Sequence, residues 1–91
     1  MNFNNLVDLI KRRFRFYISQ WSLTAIYSTE DLRKVIFITE CDEDKLSLLL
    51  LAKRTLSDYP DISIEVYSAD ERKAKDLRGL VLYTRYGGFN D

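Results

Sequence analysis

The sequence predicts a single α+β domain over residues 1–91, a two-layer sandwich in the order αββαββ with two helices on one face of a mainly antiparallel four-stranded sheet. Three observations predict it. Two stretches, Leu6 to Ile18 and Leu46 to Leu56, carry apolar residues at helical spacing, and each is followed by two short runs rich in β-branched and aromatic residues. A signature also recurs. Ile26-Tyr27-Ser28 leads to Asp31-Leu32-Arg33 and the run Val35–Thr39, and Val66-Tyr67-Ser68 leads, after a longer insertion, to Asp76-Leu77-Arg78 and the run Leu80–Thr84. That reads as a tandem αββ repeat. Finally, 91 residues with 46% hydrophobic content suffice for one modest core and not for two.

The first helix is expected from Asn4 or Asn5 to about Tyr17. Phe3, Leu6, Val7, Ile10, Phe14 and Tyr17 form its apolar stripe, and Asn4 or Asn5 supplies the cap. Lys11, Arg12 and Arg15 fall on its outer side, with Arg13 nearer the stripe. The four strands follow at Trp21–Ser28, Lys34–Cys41, Ile62–Ser68 and Leu80–Tyr86, joined within each pair by Ser28–Arg33 and Ala69–Arg78. The second link is charged and helix-prone. The second helix is expected from Glu43 to Ser57 with Asp42 as cap, its acidic start and basic end (Lys53, Arg54) complementing the helix dipole. Leu48 to Ala52 is apolar throughout; with Leu49, Ala52 and Leu56 turned inward, Leu51 is left exposed as a secondary contact. Pro60-Asp61 ends this helix.

Side-chain parity assigns faces. Val35, Phe37, Ile62, Ile64, Val66, Leu80 and Leu82 are expected to meet the helices. The first strand gives conflicting phases: apolarity turns Trp21, Leu23 and Ala25 inward, whereas the repeat places Ser22 and Thr24 there. The opposite face of the sheet keeps Tyr27, Ile36, Ile38, Tyr67, Val81, Tyr83 and Arg85, an apolar and aromatic surface expected to be open. Monomers seldom leave such a patch bare. A second copy of the chain is the expected cover, then another protein, then single-stranded nucleic acid stacking on Tyr27, Tyr67 and Tyr83 with Arg85 beside them.

Absences narrow the chemistry. The chain has no histidine and one cysteine, Cys41, which removes every Ser-His, Cys-His and His/Cys-zinc arrangement within it. A lone cysteine makes no intrachain disulfide and suits a reducing, cytoplasmic setting. Lys+Arg and Asp+Glu balance at 14 each, so no global field draws the protein to nucleic acid or membrane. No segment reaches the ~20 apolar residues of a membrane span, and the basic cluster follows the first apolar residues, unlike a secretory signal. No cofactor is expected.

The remaining motifs favour structural readings. Lys11, Arg12 and Arg15 are positioned for phosphate or an acidic partner, against a solvated helix face as the simpler reading. Asp42-Glu43-Asp44 reads as a helix start rather than a metal site, because consecutive helical carboxylates diverge. Pro60-Asp61 with Glu71 and Lys73 superficially matches a metal-nuclease pattern, and Arg78, Tyr83, Arg85 and Tyr86 would serve a histidine-free ribonuclease. The first-ranked function is a non-enzymatic binding or regulatory protein working through protein–protein contact as a homodimer on its open sheet face. Nucleic-acid binding by the basic first helix and sheet tyrosines ranks second, and phosphodiester cleavage third.

Overall fold

The computed structural model describes residues 1–14 and 23–84. Along them run α1 (Phe3–Phe14), β1 (Leu23–Ser28), β2 (Lys34–Thr39), a 3-10 turn over Asp42–Asp44, α2 (Lys45–Thr55), β3 (Ser63–Ser68), α3 (Ala69–Lys73) and β4 (Val81–Thr84). The strands form one sheet in the order β3-β2-β1-β4. β1 pairs antiparallel with β2 and with β4, while β2 and β3 run parallel. The class is α+β as expected, but the sheet is mixed.

The difference lies in the second half of the chain. β1 and β2 make the expected hairpin, whereas β3 and β4 never meet: they stand on opposite edges and run in the same direction. Hairpins are made by tight turns, and parallel connections need a dozen or so residues, often helical. Ala69–Leu80 has that length and opens with a helix, α3, so it crosses the sheet instead of folding back. The second αββ unit therefore does not repeat the topology of the first.

Two helices cover one face. Leu6, Val7, Ile10 and Phe14 of α1 are buried, as the stripe predicts. The cap sits earlier than expected: Asn2 Oδ1 accepts the Asn5 N–H at 2.8 Å, so Asn4 and Asn5 lie within the helix. With Leu48, Ala52 and Leu56 of α2, the α1 stripe packs on Leu23, Ile26, Val35, Phe37 and Tyr83 of the sheet. Asp42 makes no capping bond; the turn before α2 is tied by Thr39 Oγ1, which accepts the Cys41 N–H at 3.1 Å. Leu51 is half-buried against the core rather than exposed, and Leu46 and Leu50 are the residues left in solvent, at 66% and 59% exposure. An unbroken leucine run has no polar side to fix its rotation, so packing chooses it. The buried face centres on Leu48, not Leu49.

A bulge settles the conflicting phases of β1. Leu23 pairs with Thr39 and Ala25 with Ile38, so one residue of β1 is left over at Thr24, whose hydroxyl donates to the Ile38 carbonyl at 3.2 Å. Leu23 and Ile26 consequently face the helices, while Ala25 and Tyr27 face away. β4 has the opposite parity from that expected. Tyr83 pairs with Ile26 and enters the helix-side core under Lys11 Nζ, 5.7 Å from its ring; Leu82 pairs with Tyr27 on the far side. Val81, Leu82 and Tyr83 are all apolar enough to be buried, so alternation alone could not orient the strand.

The far face is not open. Leu77 and Leu80 of the crossover pack on Ala25, Tyr27, Ile36 and Ile38, leaving Ile36 and Ile38 only 4% and 2% exposed. Cations of the same segment close over the tyrosines. Arg72 stands 5.6 Å from the Tyr27 ring and donates through Nε to its hydroxyl at 3.0 Å, and Lys75 Nζ lies 4.6 Å from the Tyr67 ring.

The crossover is anchored at its start. Ser68 and Glu71 form a capping box, with Ser68 Oγ accepting the Glu71 N–H at 3.2 Å and Glu71 Oε1 accepting the Ser68 N–H at 3.0 Å. Glu71 also receives a hydrogen bond from Lys45 Nζ, the largest cause holding its pKa down at about 2, against 4.5 ordinarily. A carboxyl depressed in the folded state stabilises above its unfolded pKa and loses that contribution as pH falls through the folded one. The anchor is therefore complete above about pH 4.5 and lost towards pH 2. Urea midpoints at pH 7 and pH 3 should differ less for Glu71→Gln than for the parent. An equal fall in both proteins would remove Glu71 from the account.

Candidate interaction surface

The parallel pairing of β3 dictates which of its backbone groups are free. Ser63 N–H donates to the Arg33 carbonyl at 2.7 Å. In a parallel ladder alternate residues turn both backbone groups to the same neighbour. Ser63, Glu65 and Tyr67 therefore bond towards β2, and Ile64 and Val66 present N–H and C=O at the sheet edge. Common protections of an edge are absent from Ser-Ile-Glu-Val-Tyr-Ser: it has no proline, no lysine and no bulge against β2.

Beside this edge lies an apolar groove of about 420 Å³, lined by Leu46 and Leu49 of α2 and by Ile64 and Val66 of β3, with Lys45, Glu65 and Tyr67 at its rim. Leu46 and Leu50, one helical turn apart and both exposed, make a ridge along the outer side of α2. The rim charges are internally paired. Lys34 Nζ stands 3.2 Å from Glu65, and Tyr67 donates its hydroxyl to the same carboxylate. That bond lowers the Glu65 pKa and pushes Tyr67 up to about 12, so Tyr67 stays a neutral phenol that offers a ring and no nucleophile.

Of the residues expected on one open face, Tyr27, Ile36, Ile38 and Tyr67 do share the side of the sheet away from the helices, but that side is covered. Tyr27, Ile36 and Ile38 lie under the crossover, and Tyr67 at the β3 edge beneath Lys75. Tyr83 belongs to the helix-side core, and Val81 shares its side of β4. Arg85 and Arg15 lie outside the described residues. Lys11 and Arg12 do come together, with Asn5 and Asp8, around a shallow hollow on α1. Leu51 faces inward.

Other constellations do not converge. Asp61 precedes β3 while Glu71 and Lys73 follow it, which separates them by about the 20 Å length of a six-residue strand. Asp31, Arg33, Asp58 and Asp61 border a polar cleft of about 610 Å³, in which Asp31 is already paired with Arg33 at 3.5 Å. Among the described residues, no group of three or more His, Cys, Asp or Glu side chains could hold a metal ion.

Sequence reasoning did not find Leu46, Leu50, Ile64 and Val66 as a site. The i, i+4 spacing of Leu46 and Leu50 was a signal. Its meaning depends on β3 standing at an edge, which is fixed by pairings distant in sequence. Comparisons with known proteins returned no matching family model, no matching curated protein and no matching solved structure.

Proposed function

We propose that this chain is a small non-enzymatic binding protein, regulatory in role, that acts through protein–protein contact, with the β3 edge and the leucine ridge of α2 as its contact surface. The observation that carries this is the coincidence of backbone groups at Ile64 and Val66 that are unpaired among the described residues with an apolar groove and two exposed leucines on the adjoining helix. Strand addition at an edge supplies affinity through main-chain hydrogen bonds, and neighbouring pockets supply specificity.

The arrangement disfavours a nucleic-acid platform, because Tyr27 and Tyr83 lie on opposite faces of the sheet and cannot stack successive bases together. Binding through the far sheet face would first require the crossover to leave Ile36 and Ile38. No helix among the described residues is long and apolar enough to cross a membrane. A reducing, cytoplasmic setting is consistent with Cys41, whose thiol Glu43 pushes above its ordinary pKa by accepting its hydrogen bond.

The test is a photo-crosslinking residue at position 50, with the exposed position 58, which borders the polar cleft, as control. Irradiated in living cells, the chain should form protein adducts at position 50 well above those at 58. Equal or absent adducts at position 50 would remove the surface from consideration.

A further inference from the structure

The partner that this surface fits best is a second copy of the chain. Resting on the contact surface argued above, we infer that two copies pair β3 with β3 antiparallel across a two-fold axis. The sheet then continues through eight strands and the two α2 helices pack side by side above the junction.

The backbone supports this first. A two-fold axis normal to the sheet requires facing residues to lie on the same side of it, and Ile64 and Val66 both turn their backbone groups outward and their side chains to the helix layer. Two identical edges of this kind satisfy each other, because each brings the donors and acceptors that the other lacks. The helix layer agrees. α2 packs against β3 itself, so joining two copies at that strand brings their α2 helices together above the axis. The Leu46–Leu50 ridge, the part of α2 left in solvent, is then the surface that fills the space.

Charge selects the register and permits the association. Pairing centred on Glu65 would oppose two carboxylates. Pairing centred on Val66 instead sets Glu65 across from the second copy's Tyr67, whose ring lies 4.6 Å from Lys75 in each chain. Each copy thus brings a cation alongside the other's acid. With 14 residues of each sign, two copies meet without net repulsion.

The experiment is sedimentation equilibrium over a wide concentration range, with amide hydrogen exchange at both ends of it. We expect a monomer–dimer equilibrium, at least tenfold weaker for Leu46→Glu/Leu50→Glu, whose exposed positions leave folding intact by circular dichroism. The Ile64 and Val66 amides should be protected at high concentration and exchange freely on dilution, a readout that needs no variant. A chain that stays monomeric throughout overturns the second copy as partner. Adducts to a different protein at position 50 would then leave the binding role standing, and their absence would remove both. A dimer indifferent to the double variant, with Ile64 and Val66 exchanging freely, places self-association elsewhere and also overturns the inference.

Discussion

Phe37→Ala should cost about 3–5 kcal/mol of folding stability, the usual loss for a fully buried phenylalanine. Domains of this size have only about 5–15 kcal/mol in total. Phe37 has no exposed surface and sits at the centre of β2, paired to Ile26 on one side and Val66 on the other. Its ring stacks on Phe14 with centroids 6.0 Å apart and planes 22° from parallel. Phe14 lies on the buried stripe of α1, so this stack holds the helix layer to the middle of the sheet. A neighbour cannot fill the cavity, because strands on both sides fix the backbone around it. Urea denaturation should show the loss directly, with a fall in melting temperature on the order of 15 °C or more. Phe14→Ala should weaken the fold comparably. The double variant should lose less than the sum by about 0.5–1.5 kcal/mol, the worth of an aromatic pair beyond its buried area. A Phe37→Ala cost below about 1 kcal/mol would contradict this core.

The parts of the fold legible in the sequence were those encoded locally. The α1 stripe, the β1–β2 hairpin and the inward Val35 and Phe37 follow from periodicity and a short turn. That turn contains its own constraint: Leu32 adopts φ 59° and is nonetheless buried, so its side chain offsets the strain. Three things were not legible. The bulge at Thr24 shifts the phase of β1 in mid-strand, which no single alternation can express. The rotation of α2 had no polar residue to mark it between Leu48 and Ala52. Whether β3 and β4 pair depends on the path of Ala69–Leu80. A sequence reading takes two adjacent strands as a hairpin, although the Ser68–Glu71 capping box, which starts a helix in that link, was present in the residues. From this error the open face followed, and with it a site on Tyr27, Ile36 and Ile38, while Tyr83 was lost to the reversed parity of β4. The edge at β3, where the groove lies, stayed hidden through the same misread link.

Ile38→Asp separates the two architectures, and it should unfold the protein. If the far face of the sheet were open and served self-association, a carboxylate there would yield a folded monomer. In this structure Ile38 is 2% exposed, paired across β2 to Ala25 and Tyr67 and grouped with Leu77 and Leu80 of the crossover. The cations at that face are already engaged, Arg72 over Tyr27, Lys75 over Tyr67 and Lys34 against Glu65. An aspartate at position 38 would thus be stripped of water without a prepared partner, at a cost of several kcal/mol. Added to the lost isoleucine packing, that rivals the whole stability of the domain. Circular dichroism should show a chain without cooperative melting at any protein concentration. Leu82→Asp is the matched control: it lies on the same face, opposite Tyr27, but is 40% exposed, so its carboxylate keeps its water and the cost should stay near 1 kcal/mol. A folded Ile38→Asp protein would mean that Ala69–Leu80 does not lie on the sheet in solution, and the tyrosine-bearing face would return as the surface to probe.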